Sequence, residues 1–330
     1  MKILIAGLGS IGRQHLRNLI TLGERDLLLY RTNKSTLSED ELADFPIETD
    51  LAKALNHKPD AVIVSNPTSM HLDVAIPSAR AGCHLLLEKP VSNSFEGIDE
   101  LIEAVKIGGG EVLVGYQYRF HPGLKKVEEL LQIKAIGQPA SVRAHWGEYL
   151  PGWHPWEDYR LGYSARTDLG GGVILTLSHP LDYLRWLFGD VSEVWAFSGT
   201  LGELGVEVED TAEIGVRFES GVIGSVHVDY LQQPPNHFLE IIGTQGTISW
   251  NYSDSGVRLY RSEEKVWQSF PIQEGFERND MFLAELSHFF DLVNGKDKSR
   301  CSLSDGVRSL ELALAAKSSS EKQKITQLSQ

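Results

Sequence analysis

The spacing Gly7-Leu8-Gly9-Ser10-Ile11-Gly12 is one by which a backbone holds a pyrophosphate. The first glycine permits a tight turn. The second removes a side chain where a diphosphate must approach, and the third lets a helix pack closely on the preceding strand. At the start of that helix, the backbone N–H groups of Ser10 and Ile11 are placed to face the anion. An apolar run, Ile3–Ala6, precedes the glycines, and a helix-like stretch, Arg13–Leu22, follows them. G-x-G-x-x-G alone is weak evidence, but between a strand and a helix it predicts a dinucleotide site.

Further chemistry sits at the ends of other apolar runs. An acidic residue about 20 positions past the glycines usually bonds the ribose of NAD. The run Leu29-Tyr30-Arg31-Thr32-Asn33-Lys34 has none there. Arg31, with Thr32 and Lys34 behind it, suits a 2′-phosphate through charge-assisted hydrogen bonds, which favours NADP over NAD. Ser65-Asn66-Pro67-Thr68, with His71 beyond, should line the same cleft, since ligands of doubly wound sheets sit past the carboxyl ends of the strands. Asn66 and Pro67 either touch the cofactor or shape the turn; His71 is either a ligand or a helix cap. Glu88-Lys89-Pro90 puts a charged pair at the end of a buried strand, costly unless it works or lies at the rim. Lys89 there can reach both the nicotinamide end of a cofactor and a substrate hydroxyl.

Positioning these groups requires a particular order of elements. The first third alternates short apolar runs, Ile3–Ala6, Leu27–Tyr30, Ala61–Ser65, His84–Leu87 and Val112–Gly115, with helical patterns near Arg13–Leu22, Leu51–Leu55, Leu72–Ala81 and Phe95–Val105. Such alternation predicts a parallel sheet with crossover helices. Gly82 falls just past a helical run, and Asn93 or Ser94 is placed to cap the next helix. After Tyr116 the pattern changes. A helix at Leu124–Leu131 leads to runs of period two: Ala140–Trp146, Val191–Ser198, Thr211–Phe218, Val222–Tyr230, Phe238–Gly243, Thr247–Trp250 and Val257–Arg261. These predict a large, mostly antiparallel sheet. A helix at Ile174–Leu187 interrupts it, and helices at Met281–Val293 and Ser304–Ser319 finish the chain. The α/β reading is an N-terminal Rossmann dinucleotide-binding domain over 1–117 and a C-terminal open-sheet domain over 118–330, for substrate binding and oligomerisation.

Composition narrows the function classes. A chain of 330 residues is long enough for two cores. Its formal net charge of −14 argues against nucleic acid, which needs a basic face. No apolar run approaches the ~20 residues of a membrane span, and no basic leader precedes the first strand, so a cytoplasmic protein is expected. Cys83 and Cys301 lie far apart without metal-ligand spacing, as in a reduced compartment, and no metal is expected.

In their order and spacing these motifs resemble the glucose–fructose oxidoreductase / inositol dehydrogenase / rhizopine-catabolism (Gfo/Idh/MocA) family over nearly the whole chain. The resemblance rests on GLGSIG at 7–12, Asn66-Pro67 with His71, Glu88-Lys89-Pro90, and Gly115 with Arg119-Phe120-His121-Pro122. Gly170-Gly171-Gly172, His179 and Asp182 with Leu184-Arg185-Trp186-Leu187 continue it, as do Gly243-Thr-Gln-Gly246, Phe282…Glu285…His288-Phe289 and Asp305-Gly306. The resemblance implies that Lys89 and His179 face the nicotinamide ring as the catalytic pair, meeting across an interdomain cleft. Family members often carry an aspartate three or four residues before that histidine. Thr176 and Leu175 stand there instead, and Asp182, one turn later, is in the family more often a helix support than a base.

The segment Pro151–Asp168 mixes aromatics with His, Arg and carboxylates just before the glycine run. As a sugar-binding surface it would stack Trp153, Trp156, Tyr159 and Tyr163 on pyranose rings and use Arg160 and Arg166 for a carboxylate or phosphate; as an ordered loop its tryptophans would be core. Tyr116 and Arg119 join Lys89 and His179 as further candidates for substrate contact. The expected activity is hydride transfer between a nicotinamide and a sugar, sugar derivative or nucleotide sugar. An NAD-dependent glycosidase and a non-catalytic NAD(P)-binding sensor are the alternatives within the same family. Family members commonly assemble through the open sheet face, so a homodimer or homotetramer is expected, and Val222, Gly224, Val226 and Val228 fit either a core or an interface.

Overall fold

The computed structural model describes residues 1–32, 40–253 and 256–328. Lys34 therefore lies outside the described residues. The chain divides into two compact units, Met1–Gln117 with Asp168–Gly170 and Arg278–Val307, and Tyr118–Thr167 with Gly171–Glu277 and Arg308–Gln330.

In the first unit the order is β1 (Ile3–Ala6), α1 (Ser10–Thr21), β2 (Leu27–Tyr30), β3 (Ile47–Glu48), α2 (Leu51–Asn56), β4 (Ala61–Val64), α3 (His71–Arg80), β5 (His84–Glu88), α4 (Ile98–Gly108) and β6 (Val112–Gly115). All six strands are parallel, in the order β3-β2-β1-β4-β5-β6. The order reverses between β1 and β4, which opens a ligand crevice at the carboxyl ends of those strands. Residues of β1 and β4 are fully buried, as continuous apolar runs covered on both faces must be. Helix α4 begins at Ile98 behind Gly97, whose φ is 79°, so neither Asn93 nor Ser94 is its cap. The short edge strand β3 has too few residues to show period-two alternation.

The second unit carries α5 (Pro122–Gln132), β7 (Pro139–Gly147), α6 (Val173–Thr176), α7 (His179–Phe188), β8 (Val191–Gly199), β9 (Thr211–Phe218), β10 (Ile223–Asp229), β11 (Asn236–Gly243), β12 (Gly246–Asn251), β13 (Gly256–Arg261) and β14 (Trp267–Pro271). Along the chain, α8 (Arg278–Val293), which belongs to the first unit, and α9 (Leu303–Lys322) follow, then β15 (Thr326–Gln327). The sheet runs β14-β13-β12-β11-β7-β10-β9-β8-β15 and is antiparallel except where β10 pairs with β7. Alternation runs through its central strands. Val142, Ala144 and Trp146 of β7 and Val226 and Val228 of β10 are buried, while Arg143, between Val142 and Ala144, and Ser225, just before Val226, are exposed. Val222 is buried too, and a Cβ at Gly224 would meet Val142 and Val216, so this row belongs to the core. The opposite face bears Ile223, Trp195 and Phe197, and the two rings meet edge to face at 5.4 Å.

Two further expectations change. The single helix at Ile174–Leu187 is two, α6 and α7, broken at Leu177–Ser178. Pro180 has no N–H to give, and its ring would strike the carbonyl of Thr176 in a continuous helix. The C-terminal domain is also not the continuous stretch 118–330, because Arg278–Val307 groups with the first unit. There Asn279 of α8 pairs its amide with Gln14 and Asn18 of α1, and Cys301 accepts the Val114 N–H at 2.9 Å.

Candidate active site

Side chains at the carboxyl ends of the first unit's strands build one set of groups. At Gly7, φ is 90°, and a Cβ would lie 2.4 Å from the Asn66 nitrogen; one at Gly12 would lie 1.9 Å from the Gly7 oxygen. Gly9 differs, because a Cβ there meets nothing within 4 Å. The space in front of it is open, and Gly9 is the N-terminal cap of α1, whose first residues are Ser10 and Ile11. Free N–H groups and the positive end of the helix dipole face an anion at such a terminus. Asn66 donates from Nδ2 to the Met70 oxygen at 2.6 Å, and its buried Oδ1 has no hydrogen-bond partner among the described residues. The open space, the helix start and the unpartnered oxygen fit a dinucleotide, whose diphosphate Gly9, Ser10 and Ile11 would hold, with Asn66 as a side-chain acceptor.

Arg31 follows β2 and is 7% exposed; its backbone N–H donates to the Glu48 oxygen, and Thr32 beside it is exposed. Pro67 precedes the turn of 3-10 helix that leads into α3. Lys89 is half-buried just past β5, and Pro90 is buried.

His71 and Glu88 do not extend toward a ligand. Nδ1 of His71 is 2.9 Å from the Pro90 oxygen and Nε2 is 3.0 Å from the Asn66 oxygen, so the ring ties the turn after β4 to the turn after β5. Burial is the largest influence and lowers its pKa, while Glu88 and the backbone carbonyls favour the charged ring. Glu88 turns inward, with Oε1 2.7 Å from His15 Nε2, because a buried carboxylate needs a partner. Burial alone would raise its carboxyl, but His15, Lys89 and His71 together hold it below the usual range. Tyr116 is fully buried and, as placed, offers no surface to a substrate.

In the second unit, the break before α7 puts His179 in the first turn of that helix, 2% exposed. Its ring lies 4.9 Å from Tyr118 and 5.4 Å from Trp146, centroid to centroid. Trp146 stacks on His237 at 4.6 Å with the planes 1° apart, and Trp250 meets His237 edge-on. These rings form a rigid wall around the imidazole, a constellation scattered from 118 to 250 that no local spacing reveals. One turn later, Asp182 receives two bonds from Arg119 and one from Ser309 Oγ at 2.9 Å. Asp182 thus supports the helix. Arg119, expected on the substrate, spends its guanidinium on this pair, the arrangement a buried arginine requires.

The aromatic segment divides. Trp156 is 69% exposed, whereas Trp153 is half-buried and meets Tyr230 edge-on at 5.6 Å. Tyr159 and Tyr163 are half-buried, and the Tyr159 hydroxyl donates to the Leu204 oxygen at 2.7 Å. Arg160 is committed to Asp158 through two 2.8 Å bonds, and Arg166 is exposed. Trp156, Arg160 and Arg166 are the exposed members of this group.

Known proteins resemble this chain over nearly its whole length. Residues 1–116 match the model "Oxidoreductase family, NAD-binding Rossmann fold", and residues 124–249 match the Gfo/Idh/MocA C-terminal domain. Myo-inositol 2-dehydrogenase of Thermotoga maritima is 29% identical, over 99% of this chain and 98% of that protein. The 1,5-anhydro-D-fructose reductase of Ensifer adhaerens is 29% identical, over 78% of this chain and 76% of its own. A solved levoglucosan dehydrogenase, in complex with NADH and levoglucosan, shares the fold at a TM-score of 0.87 and 20% identity, covering 100% of this chain and 99% of that one. With both of its halves matched by the family's own models, the chain belongs to the Gfo/Idh/MocA family of NAD-binding oxidoreductases.

Proposed function

We propose that this protein is a dehydrogenase or reductase that acts on a CH–OH group of a sugar, a sugar derivative or a nucleotide sugar. The observation that carries the reading is the open space before Gly9 at the N-terminus of α1, flanked by the unsatisfied Oδ1 of Asn66. The sugar and inositol dehydrogenases among its relatives supply the substrate class. A bound nicotinamide supplies the hydride acceptor or donor. The chain's part is to hold the reacting oxygen and move its proton. Lys89, half-buried just past β5, holds the oxygen and polarises a carbonyl in the reductive direction. His179 exchanges the hydroxyl proton, a task suited to an imidazole fixed by Tyr118 and Trp146. Trp156 and Arg166 are assigned to the sugar and to any acidic substituent.

NADP is assigned over NAD on Arg31 and Thr32, with Lys34 as the further basic residue of the same stretch. A homodimer or homotetramer through the sheet face bearing Trp195, Phe197 and Ile223 is part of the same reading, since these are large apolar groups in the open. The described residues contain no helix long and apolar enough to cross a membrane. The buried thiols of Cys83 and Cys301 accord with a reducing cytoplasm.

The test is a panel of inositols, anhydrosugars, free sugars and nucleotide sugars with each nicotinamide cofactor. Net formation of NADPH or NADH on a member of the panel is expected. Glycoside cleavage without net cofactor change would replace this reading with a glycosidase, and cofactor binding without either would replace it with a sensor. Sedimentation should show an oligomer that Phe197→Asp dissociates; a monomer at micromolar concentration ends that part of the proposal.

A further inference from the structure

Three ionisable side chains of the first unit meet away from solvent: His15 on α1, Glu88 at the end of β5 and Glu285 on α8. One donor atom from each lies within 4.8 Å of the others. His15 and Glu285 are fully buried and Glu88 nearly so. His15 Nε2 stands 2.7 Å from Glu88 Oε1, but among the described residues neither oxygen of Glu285 has a hydrogen-bond partner. An isolated carboxylate inside a protein is strongly disfavoured, and a second carboxylate beside it adds repulsion. A proton or a metal ion would relieve both. Two ligands each about 2.0 Å from a tetrahedral ion stand about 3.3 Å apart, so the 2.7 Å contact has the length of a hydrogen bond instead.

We infer that Glu285 is held as a neutral carboxylic acid and that, with His15, it positions Glu88 and through Glu88 the backbone of Lys89. The link to Lys89 is direct, since its N–H donates to Glu88 Oε2 at 3.3 Å. Gly115, the register partner of Glu88 on β6, leaves the carboxylate its space: a Cβ there would stand 3.1 Å from Oε2. The charged and titratable groups around the pair are His15 from α1, Lys89 after β5 and His71 from α3. Burial first, and the Glu88 charge second, push the Glu285 carboxyl well above the ordinary range. One proton thus lets two acids share a dry site, with Glu88 keeping its charge. The positioning role rests on the assignment of Lys89 to the reacting oxygen; the protonation state does not.

Glu285→Gln separates the alternatives, because an amide copies the shape and neutrality of the acid. In the infrared difference spectrum of wild type minus Glu285→Gln at neutral pH, the carbonyl stretch of a neutral carboxylic acid should appear. Thermal unfolding should be compared from about pH 5 to about pH 9. In that window the native state keeps on Glu285 a proton that the unfolded chain has released, so this residue's contribution to wild-type stability falls as pH rises, by a few °C per pH unit. The variant lacks that slope, and the gap in Tm moves in its favour. A packing role alone gives a gap independent of pH. On the substrate the panel identifies, Glu285→Ala should lower kcat about tenfold, the scale of about 1.4 kcal/mol, with cofactor affinity kept, and Glu285→Gln should recover the loss. A missing band, a pH-independent gap, or stoichiometric metal in the purified protein would overturn the neutral acid. Wild-type turnover in Lys89→Ala, with band and slope intact, would overturn the positioning role alone.

Discussion

Arg119 and Asp182 form a two-pronged ion pair inside the second unit, with Nε 2.9 Å from Oδ2 and Nη2 2.8 Å from Oδ1. The side chains are 4% and 1% exposed, so losing either partner strands a charge in a dry environment. Arg119→Ala or Asp182→Asn should destabilise the protein by about 3–5 kcal/mol. Arg119→Lys should recover only part of this, since an ammonium cannot form the planar fork. Denaturant unfolding checks the prediction, and a loss below about 1 kcal/mol would show that the pair behaves like a surface one. Because Asp182 lies one turn beyond His179 on α7, turnover should fall with stability rather than ahead of it.

The glycines at 9 and 12 should respond differently to alanine. At Gly12 the new methyl collides with the Gly7 backbone oxygen, which should destabilise the fold by about 1–3 kcal/mol or more. At Gly9 it enters open space, so the unliganded protein should lose no more than about 1 kcal/mol. Cofactor affinity should nevertheless fall by tenfold or more, about 1.4 kcal/mol, because the methyl occupies the approach to the diphosphate. Tight cofactor binding by a stable Gly9→Ala protein would disprove the cradle.

Cofactor choice is tested at Arg31. Its replacement by alanine should weaken NADP by about 1–3 kcal/mol, the range for a lost charged hydrogen bond, and leave NAD nearly unaffected. Equal weakening of both, or tighter NAD than NADP in the unaltered protein, refutes the assignment.

For the chemistry, Lys89→Ala and His179→Ala should each lower kcat by about 10²–10⁴-fold, the range for a positioned acid or base. Diphosphate and ribose contacts are assigned in the proposed function to the strand ends of the first unit, so cofactor affinity should change little. Single-turnover kinetics with bound cofactor would expose a residue that affects release alone.

Acid sensitivity has an identified source in His121. Its Nδ1 accepts the Gly123 N–H at 3.0 Å and so caps α5, and burial pulls its pKa from 6.5 down to about 3. Between those values the unfolded chain binds a proton that the native state refuses. Stability should therefore fall with acidification below about pH 6.5, by about 1.4 kcal/mol per pH unit from this residue. His121→Asn keeps a capping oxygen and should flatten that part of the stability–pH curve. An unaltered slope would assign the acid sensitivity elsewhere.

Local rules made much of this protein legible. Gly7, Gly9 and Gly12 announce a strand–turn–helix because backbone approach and turn geometry depend on neighbours in sequence. The period-two runs announce the sheet of the second unit, but whether the row of Val226 and Val228 faces a core or an interface was decided by the fold. Pro180 also contained the break before α7 that periodicity alone obscures, since its missing N–H and its ring act on the preceding turn.

Partnership between charged side chains was decided elsewhere. Arg119, Glu88 and His71 look in sequence like groups that reach for ligands, and each is engaged by the protein itself, through Asp182, His15 and two backbone carbonyls. Glu285 looks like one polar position on an apolar helix, yet it completes a buried cluster with residues about 200 and 270 positions away. Sequence order determined the elements because hydrogen bonding, steric limits and hydrophobic period act over a few residues. Only the tertiary structure determined which charges are spent on one another, because burial and its electrostatic cost arise only when distant segments exclude water together.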